Sequence, residues 1–139
     1  MSVRATSEAA AGQELPAWTY KVVRDDLVAY ANASGDQNPL HQNEDFAKSV
    51  GLPDVIAHGM HTMAKIGQFM SDWVGDPGAV VRFRARFTNI VPVPKHGGNE
   101  VTVTGSIREL RGDRAVLDLI AYTPDGTKVA TADAEVRLR

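Results

Sequence analysis

The hydrophobic spacing of the sequence changes at Gly75, and this change limits the folds that the chain can adopt. Before Gly75, apolar and small residues recur three and four positions apart, which predicts an amphipathic helix. After Val80, apolar and polar residues alternate, and the turn sequences RGD and PDG divide the alternation into consecutive strands. A long helix followed by such strands predicts an antiparallel sheet packed on that helix. The residues of the helical stripe are Met60, Met63, Ala64, Gly67, Met70, Trp73 and Val74.

The chain before this helix adds one strand and two shorter helices. Residues 17–23 are rich in β-formers and predict the first strand. Asp25 and Asp26 then favour the start of a helix that Gly35 ends, and Asn43 is placed to cap a second short helix. The complete order predicts the α+β class, with a five-stranded antiparallel sheet wrapped around a long central helix.

Composition excludes several classes of function. The 139 residues, 43% of them hydrophobic, suffice for one core, so 1–139 is expected to be a single domain with a flexible N-terminus over 1–12. Basic and acidic residues are intermixed at a formal net charge of −2, which argues against a nucleic-acid partner. No apolar run approaches the length of a membrane span, so no membrane association is expected. The absence of cysteine excludes disulfides and Cys nucleophiles and fits a cytoplasmic protein.

Polar residues are concentrated in the loop after the first helix. Residues 30–47 read YANASGDQNPLHQNEDFA, and residues 56–60 read IAHGM. Taken alone, Asp-x-Asn-Pro is more typical of a turn than of an active site. The run from Ser34 to His41, S-G-D-x-N-P-L-H, followed by a small residue at Ala47, resembles the signature of the MaoC-like (R)-specific enoyl-CoA hydratases. In addition, residues 71–80 (SDWVGDPGAV) and 86–94 (RFTNIVPVP) are similar to the catalytic β-subunit of mycolic-type (3R)-hydroxyacyl-ACP dehydratase.

This resemblance implies a hot-dog fold, in which a sheet wraps around a central helix. It also implies a (3R)-hydroxyacyl thioester dehydratase of fatty acid elongation, or a hydratase working in the reverse direction, with its substrate carried on CoA or acyl carrier protein and no cofactor. Asp36 and His41 are implied as the catalytic pair, and the backbone N–H of Gly59 as the oxyanion hole. One position departs from the pattern, because Gly67 stands where several of these hydratases have a serine.

The residue types also suit this chemistry. Removal of water from a 3-hydroxyacyl thioester requires a base for the C2 proton, an acid for the departing hydroxyl, and donors for the enolate-like oxygen. Asp36 and His41 can divide the first two tasks in either way. Gly59 lies where the long helix begins, so its N–H has no partner within the helix and is reinforced by the helix dipole.

Neighbouring residues are expected to support this site. Asn38 is expected to pin the loop by hydrogen bonds, Pro39 to stiffen it, and His58 to shape the N-terminus of the long helix. A zinc site that includes His41, His58 and His61 is disfavoured because no carboxylate lies at a matching helical spacing. The sequence therefore predicts no metal.

Two other functions remain as alternatives. A thioesterase of the same fold needs an activated water but no acid for a leaving hydroxyl, and a non-catalytic acyl-binding subunit needs neither catalytic side chain. The joint presence of Asp36 and His41 favours the dehydratase over both. Acyl chain length, carrier and direction are not determined by the sequence.

The expected partners follow from the sheet and from its charges. A single curled sheet leaves open edges, which predicts a homodimer or a heterodimer with a second hot-dog subunit. Acyl carrier protein is a candidate partner through the carried substrate. The row formed by Arg82, Arg84 and Arg86 is interpreted as a solvated sheet face, with contact to acidic carrier protein or to CoA phosphates as its alternative.

Overall fold

One antiparallel sheet and one long helix form the centre of the computed structural model, which describes residues 4–139. The helices, in chain order, are α1 (Arg24–Ser34), α2 (Glu44–Ser49) and α3 (Gly59–Val74). The strands are β1 (Glu14–Val22), β2 (Val80–Phe87), β3 (Asn99–Arg111), β4 (Arg114–Tyr122) and β5 (Lys128–Arg137). They form a five-stranded antiparallel sheet in the order β1-β3-β4-β5-β2. The predicted α+β class and its five-stranded sheet are confirmed.

The ends of the two short helices agree with the sequence prediction. In the first turn of α1, Asp26 accepts a hydrogen bond from the Val23 N–H at 2.8 Å. Gly35 ends α1 with a φ of 83°, in the left-handed region that favours glycine. Asn43 caps α2 by accepting a hydrogen bond from the Phe46 N–H at 3.0 Å. These contacts fix both ends of the loop between α1 and α2.

The buried face of α3 differs from the predicted stripe. Met70, Trp73 and Val74 are buried as predicted, but Met60 is 56% exposed and Ala64 is exposed as well. Each residue turns a helix by about 100°, so two neighbouring faces of one helix can both carry residues three and four positions apart. The spacing alone therefore does not show which face is buried. The buried residues of α3 that the predicted stripe does not include are His61, Thr62, Ile66 and Phe69.

The core lies between α3 and one face of the sheet. Ile66 and Met70 of α3 are completely buried and join one cluster with Val103 of β3 and Leu117 of β4. Complete burial of one such side chain contributes about 1.5–3 kcal/mol to the free energy of unfolding. This contact therefore anchors α3 on the sheet. No helix within residues 4–139 combines the length and apolar character needed to cross a membrane.

Strand β2 forms one edge of the sheet and carries exposed apolar side chains. Val81 is 41% exposed and Phe87 is 46% exposed, although the alternation predicted that they face the core. On the other face, Arg82 and Arg84 form ion pairs with Asp133 of β5, at 2.6 Å and 3.1 Å. The arginine row is therefore paired in part, as expected for a solvated sheet face.

Backbone hydrogen bonds hold the described part of the N-terminal segment. The Arg4 N–H donates to the Val74 carbonyl at 2.8 Å, and the Arg139 N–H donates to the Arg4 carbonyl at 3.0 Å. The Gly12 N–H donates to the Ile107 carbonyl at 2.7 Å. The sequence predicted a flexible segment over 1–12 because its side chains are small and polar, but such side chains give no signal of backbone pairing. For residues 1–3 that prediction lies outside the described residues.

We expect Ile66→Ala to lower the free energy of unfolding by about 2–5 kcal/mol, because the substitution leaves a cavity beneath α3. Met60→Ala, on the exposed part of the predicted stripe, should lower it by less than about 1 kcal/mol. Urea denaturation of both variants measures the two changes, provided that the slope m stays constant. Equal destabilisation by the two substitutions would contradict this assignment of the buried face.

Candidate active site

The loop between α1 and α2 is held by a chain of short-range hydrogen bonds. The Asp36 N–H donates to Ser34 Oγ at 3.1 Å, and the Asn38 N–H donates to Asp36 Oδ1 at 3.2 Å. The Leu40 N–H donates to Asn38 Oδ1 at 3.2 Å, and Pro39 begins a single turn of 3₁₀-helix that ends at His41. One carboxylate oxygen of Asp36 is therefore used to shape the loop, while Oδ2 is left for other contacts.

His41 faces this free oxygen. Its Nε2 lies 3.9 Å from Asp36 Oδ2, and its Nδ1 lies 2.7 Å from the Ile56 carbonyl oxygen. Because a carbonyl oxygen only accepts hydrogen bonds, Nδ1 carries the proton, and the lone pair of the neutral ring is on Nε2. The His41 side chain is 11% exposed and that of Asp36 is 51% exposed. A buried imidazole thus presents its basic nitrogen to a carboxylate on the open side of the loop.

The N-terminus of α3 lies directly beside this pair. His58, the residue before the helix, is 2% exposed, and its ring stacks on that of His41 at 3.8 Å between centroids. Gly59 is the first residue of α3, and its N–H has no acceptor among the described residues. A Cβ at Gly59 would lie 2.9 Å from the Phe87 ring, so a larger residue here would force that half-exposed ring to move.

A cleft of about 450 Å³ opens at this point, large enough to admit a small acyl group. Asp36 and Gly59 line it together with three residues that the sequence analysis did not assign to the site, namely Tyr30, Met60 and Phe87. Alternation predicted that Phe87 faces the core, because it does not show which strand passes the start of α3. The spacing of Met60 fits core packing and the lining of an acyl channel equally well. Tyr30 begins the polar stretch of residues 30–47, but it lies outside the run that resembles the family signature.

The structure brings together Asp36, His41 and His58, which were singled out from the sequence, but it does not bring His61 into the same cluster. One ligand atom from each of the three lies within 4.8 Å of the others. The two imidazole rings are nearly parallel, with an interplanar angle of 21°. A tetrahedral metal ion requires ligand lone pairs that converge on one point, and the lone pairs of these two rings do not converge. This geometry favours an acid–base pair over a metal centre.

Two buried histidines near the site titrate below the ordinary range. Burial lowers the pKa of His58, and the neighbouring His41 adds to this effect, while the Asp36 carbonyl opposes it. Burial also lowers the pKa of His61, whose ring packs edge-on against Tyr20 and Tyr30. The neutral forms of both rings are therefore favoured inside the fold.

A sheet packed on a central helix is the hot-dog arrangement, and in this chain an Asp–His pair lies beside the start of that helix. The chain belongs to the MaoC like domain family, which matches residues 6–118. It is 34% identical over 119 residues to fatty acid synthase subunit beta of Aspergillus oryzae, a match that covers 82% of this chain and 6% of that protein. It is 33% identical over 108 residues to 3-hydroxybutyryl-CoA dehydratase of Methylorubrum extorquens, covering 67% of this chain and 66% of that protein.

Solved structures agree with this assignment. A MaoC-like dehydratase superimposes with a TM-score of 0.95 and 37% identity, over 99% of this chain and 43% of the other. The (R)-hydratase of A. caviae involved in PHA biosynthesis superimposes with a TM-score of 0.86 and 25% identity, over 96% and 100% of the two chains. The HadBC (3R-hydroxyacyl-ACP dehydratase) complex of Mycobacterium tuberculosis matches with a TM-score of 0.72 at 18% identity, over 91% and 95%, and shares the fold.

We expect His61→Gln to reduce the loss of stability in mild acid. The unfolded chain has ordinary histidine pKa values near 6.5, and the folded pKa of His61 is lower. Between these two values the unfolded state binds more protons, so stability is fully present above about pH 6.5 and falls as the pH decreases. Urea denaturation of the wild type and the variant at about pH 7.5 and about pH 5.5 measures this loss. An identical loss in both proteins would contradict the prediction.

Proposed function

We propose that this chain catalyses the reversible dehydration of (3R)-hydroxyacyl thioesters to trans-2-enoyl thioesters, in fatty acid elongation or in the direction of hydration. The observation that carries the proposal is the pairing of His41 Nε2 with Asp36 Oδ2 at 3.9 Å, beside the unpaired N–H at the start of α3. Two proton-transfer groups and one oxyanion donor supply the three tasks that this reaction requires.

The chemical step uses the pair in complementary roles. In dehydration, one member removes the C2 proton, and the released electron pair forms the C2–C3 double bond as the C3–O bond breaks. The other member gives its proton to the departing hydroxyl, which leaves as water. Hydration reverses both transfers. At a separation of 3.9 Å, Asp36 and His41 can contact one hydroxyl or water oxygen between them.

The local hydrogen bonds prepare both side chains for this exchange. The Ile56 carbonyl holds the proton on His41 Nδ1, so Nε2 both accepts and returns the transferred proton. The Asn38 N–H holds Asp36 Oδ1, so the other oxygen stays directed toward the cleft. In this proposal Asn38 and Pro39 act on the reaction only through the shape of the loop.

The Gly59 N–H is proposed as the oxyanion donor. Removal of the C2 proton moves negative charge onto the thioester oxygen, and a backbone N–H at the N-terminus of the 16-residue helix α3 opposes that charge. The cleft beside it is lined by Met60 and Phe87, whose apolar groups suit an acyl chain or the stem of a carrier arm.

The substrate is proposed to be carried as a thioester on CoA or on acyl carrier protein. Both carriers occur among similar proteins, in a 3-hydroxybutyryl-CoA dehydratase and in a (3R)-hydroxyacyl-ACP dehydratase. No cofactor is proposed, because Asp36, His41 and the Gly59 N–H together cover the proton transfers and the developing charge. A thioesterase would not need an acid positioned for a leaving hydroxyl, so the facing Asp–His pair favours the hydro-lyase.

We expect Asp36→Asn and His41→Ala each to lower kcat for hydration of trans-2-enoyl-CoA by at least about a hundredfold, because each removes a general acid–base group. Asp113→Asn, the same chemical change in the exposed turn between β3 and β4, serves as the matched control and should keep wild-type activity. Ultraviolet absorbance of the enoyl thioester measures the rate, and circular dichroism checks folding.

The stereochemistry of the product gives a second test of the same proposal. Chiral chromatography of the hydration product should show the (3R)-hydroxyacyl thioester. A (3S) product, or a folded Asp36 or His41 variant that retains a large fraction of the activity, would refute the assignment.

We also propose that the working unit is a dimer, either of two copies or with a second hot-dog subunit. Strand β2 has one edge without a partner among the described residues, and the exposed apolar side chains of Val81, Phe87 and Ile90 lie along it or just beyond it. The half-exposed side chain of Asp36 lines the same cleft as Phe87. Coverage of this edge by a partner would bury apolar surface and shield the site from water.

We expect light scattering after size-exclusion chromatography to give the mass of two chains, and Ile90→Lys to shift the protein toward the monomer by placing a charge in the interface. Thr127→Lys, in the turn between β4 and β5, is the matched control and should leave the dimer intact. If the isolated chain is instead an inactive monomer, mixing with a second hot-dog subunit should restore both dimer and activity. A stable and fully active monomer would refute both forms of this proposal.

A further inference from the structure

His58 contacts both members of the catalytic pair from one buried position. Its Nε2 lies 3.3 Å from the main-chain carbonyl oxygen of Asp36, and its ring stacks on His41 with 3.8 Å between centroids. The Tyr30 ring of α1 packs on it from another side at 4.8 Å. Because His58 is only 2% exposed, this arrangement is held by packing on all sides.

The hydrogen bond to Asp36 also fixes the tautomer of His58. The carbonyl oxygen accepts, so Nε2 carries the proton and Nδ1 has the lone pair. This Nδ1 has no hydrogen-bond partner among the described residues, although it is buried. A buried polar atom without a partner reduces stability, so packing alone would favour an apolar ring at this position. The imidazole therefore has a use that packing does not supply.

We propose that His58 is a positioning residue, which holds the Asp36 backbone through its Nε2–H and the His41 ring through stacking, and thereby sets the distance between the two catalytic side chains. This inference rests on the function proposed above. The groups that face His58 are Asp36 and His41 from the loop, Tyr30 from α1, and His61 from the same helix. Burial lowers the pKa of His58, which keeps the ring in its neutral, donating form.

Two substitutions separate the two contacts. His58→Phe keeps a stacked ring but removes the N–H donor, whereas His58→Gln keeps an N–H at a similar reach but removes the ring. We expect each to lower kcat for enoyl-CoA hydration by between about tenfold and about a hundredfold, with KM nearly unchanged, because misplacement of catalytic groups affects the chemical step. His61→Gln, a buried histidine one turn further along α3 that contacts neither catalytic side chain, is the matched control and should keep the wild-type kcat.

The Tm of His58→Phe distinguishes a positioning role from a purely structural role. If His58 served only the structure, its replacement would lower the Tm. His58→Phe removes the unpaired Nδ1 from the interior, so its Tm should equal or exceed that of the wild type while its kcat falls. A folded His58→Phe variant with wild-type kcat would overturn the role of the N–H donor. Wild-type kcat in a folded His58→Gln variant would overturn the role of stacking.

A spectroscopic test on the unmodified protein does not depend on activity or on the folding of variants. Long-range ¹H–¹⁵N NMR spectra should show His58 as the neutral Nε2–H tautomer, and it should stay neutral at the pH where a free histidine is half protonated. An Nδ1–H tautomer, or protonation at the ordinary pH, would overturn the inference. Absence of hydration activity in a wild-type protein with the expected His58 tautomer would refute the proposed function and leave the tautomer and its contacts established.

Discussion

The hydrogen bond from His41 Nδ1 to the Ile56 carbonyl joins the loop of the candidate site to the segment that leads into α3. The Ile56 N–H returns a hydrogen bond to the Leu40 carbonyl at 3.3 Å, so that the two segments are linked twice. The next residue, Ala57, donates to the Val91 carbonyl at 2.9 Å, beyond the end of β2. This short segment therefore holds the loop of the candidate site on one side and the chain after β2 on the other. It places Gly59 at the start of α3 between them.

An ion cluster reinforces the same junction from outside. Arg24, at the start of α1, donates to the Val93 carbonyl at 2.9 Å and pairs with Glu44 of α2 and with Asp54. Its guanidinium thus connects the starts of α1 and α2 and the chain after β2 to the segment before α3. Exposed ion pairs contribute little to stability, but the side chain of Arg24 is 21% exposed, and a bond to a main-chain carbonyl adds geometric constraint. These contacts surround the loop that carries Asp36 and His41.

Local patterns predicted the elements well, because helix caps, turns and alternation are properties of neighbours in sequence. Asn43 caps α2 with its side chain, and Gly35 ends α1 at a positive φ, as predicted. The prediction of the buried face was wrong for the first half of α3. Spacing alone does not show whether Met60 or Ile66 is buried, because this depends on where the sheet packs against the helix. Asp36 and His41 were assigned to the candidate site through the family resemblance. The stacking of His58 on His41 could not be predicted, because it depends on how the loop meets α3.

The site and the edge of the sheet are connected through Phe87. Its ring lies against Gly59, where a Cβ would collide with it, and its strand is the one that lacks a partner on one side among the described residues. Any subunit that pairs with β2 would therefore press on the residue that borders the oxyanion donor. Because the electrostatic effect of the Gly59 N–H grows as water is excluded, association at this edge would strengthen catalysis without adding a catalytic group. In the proposed dimer, closure of the site on assembly would account for both the exposed apolar residues of β2 and the half-exposed position of Asp36.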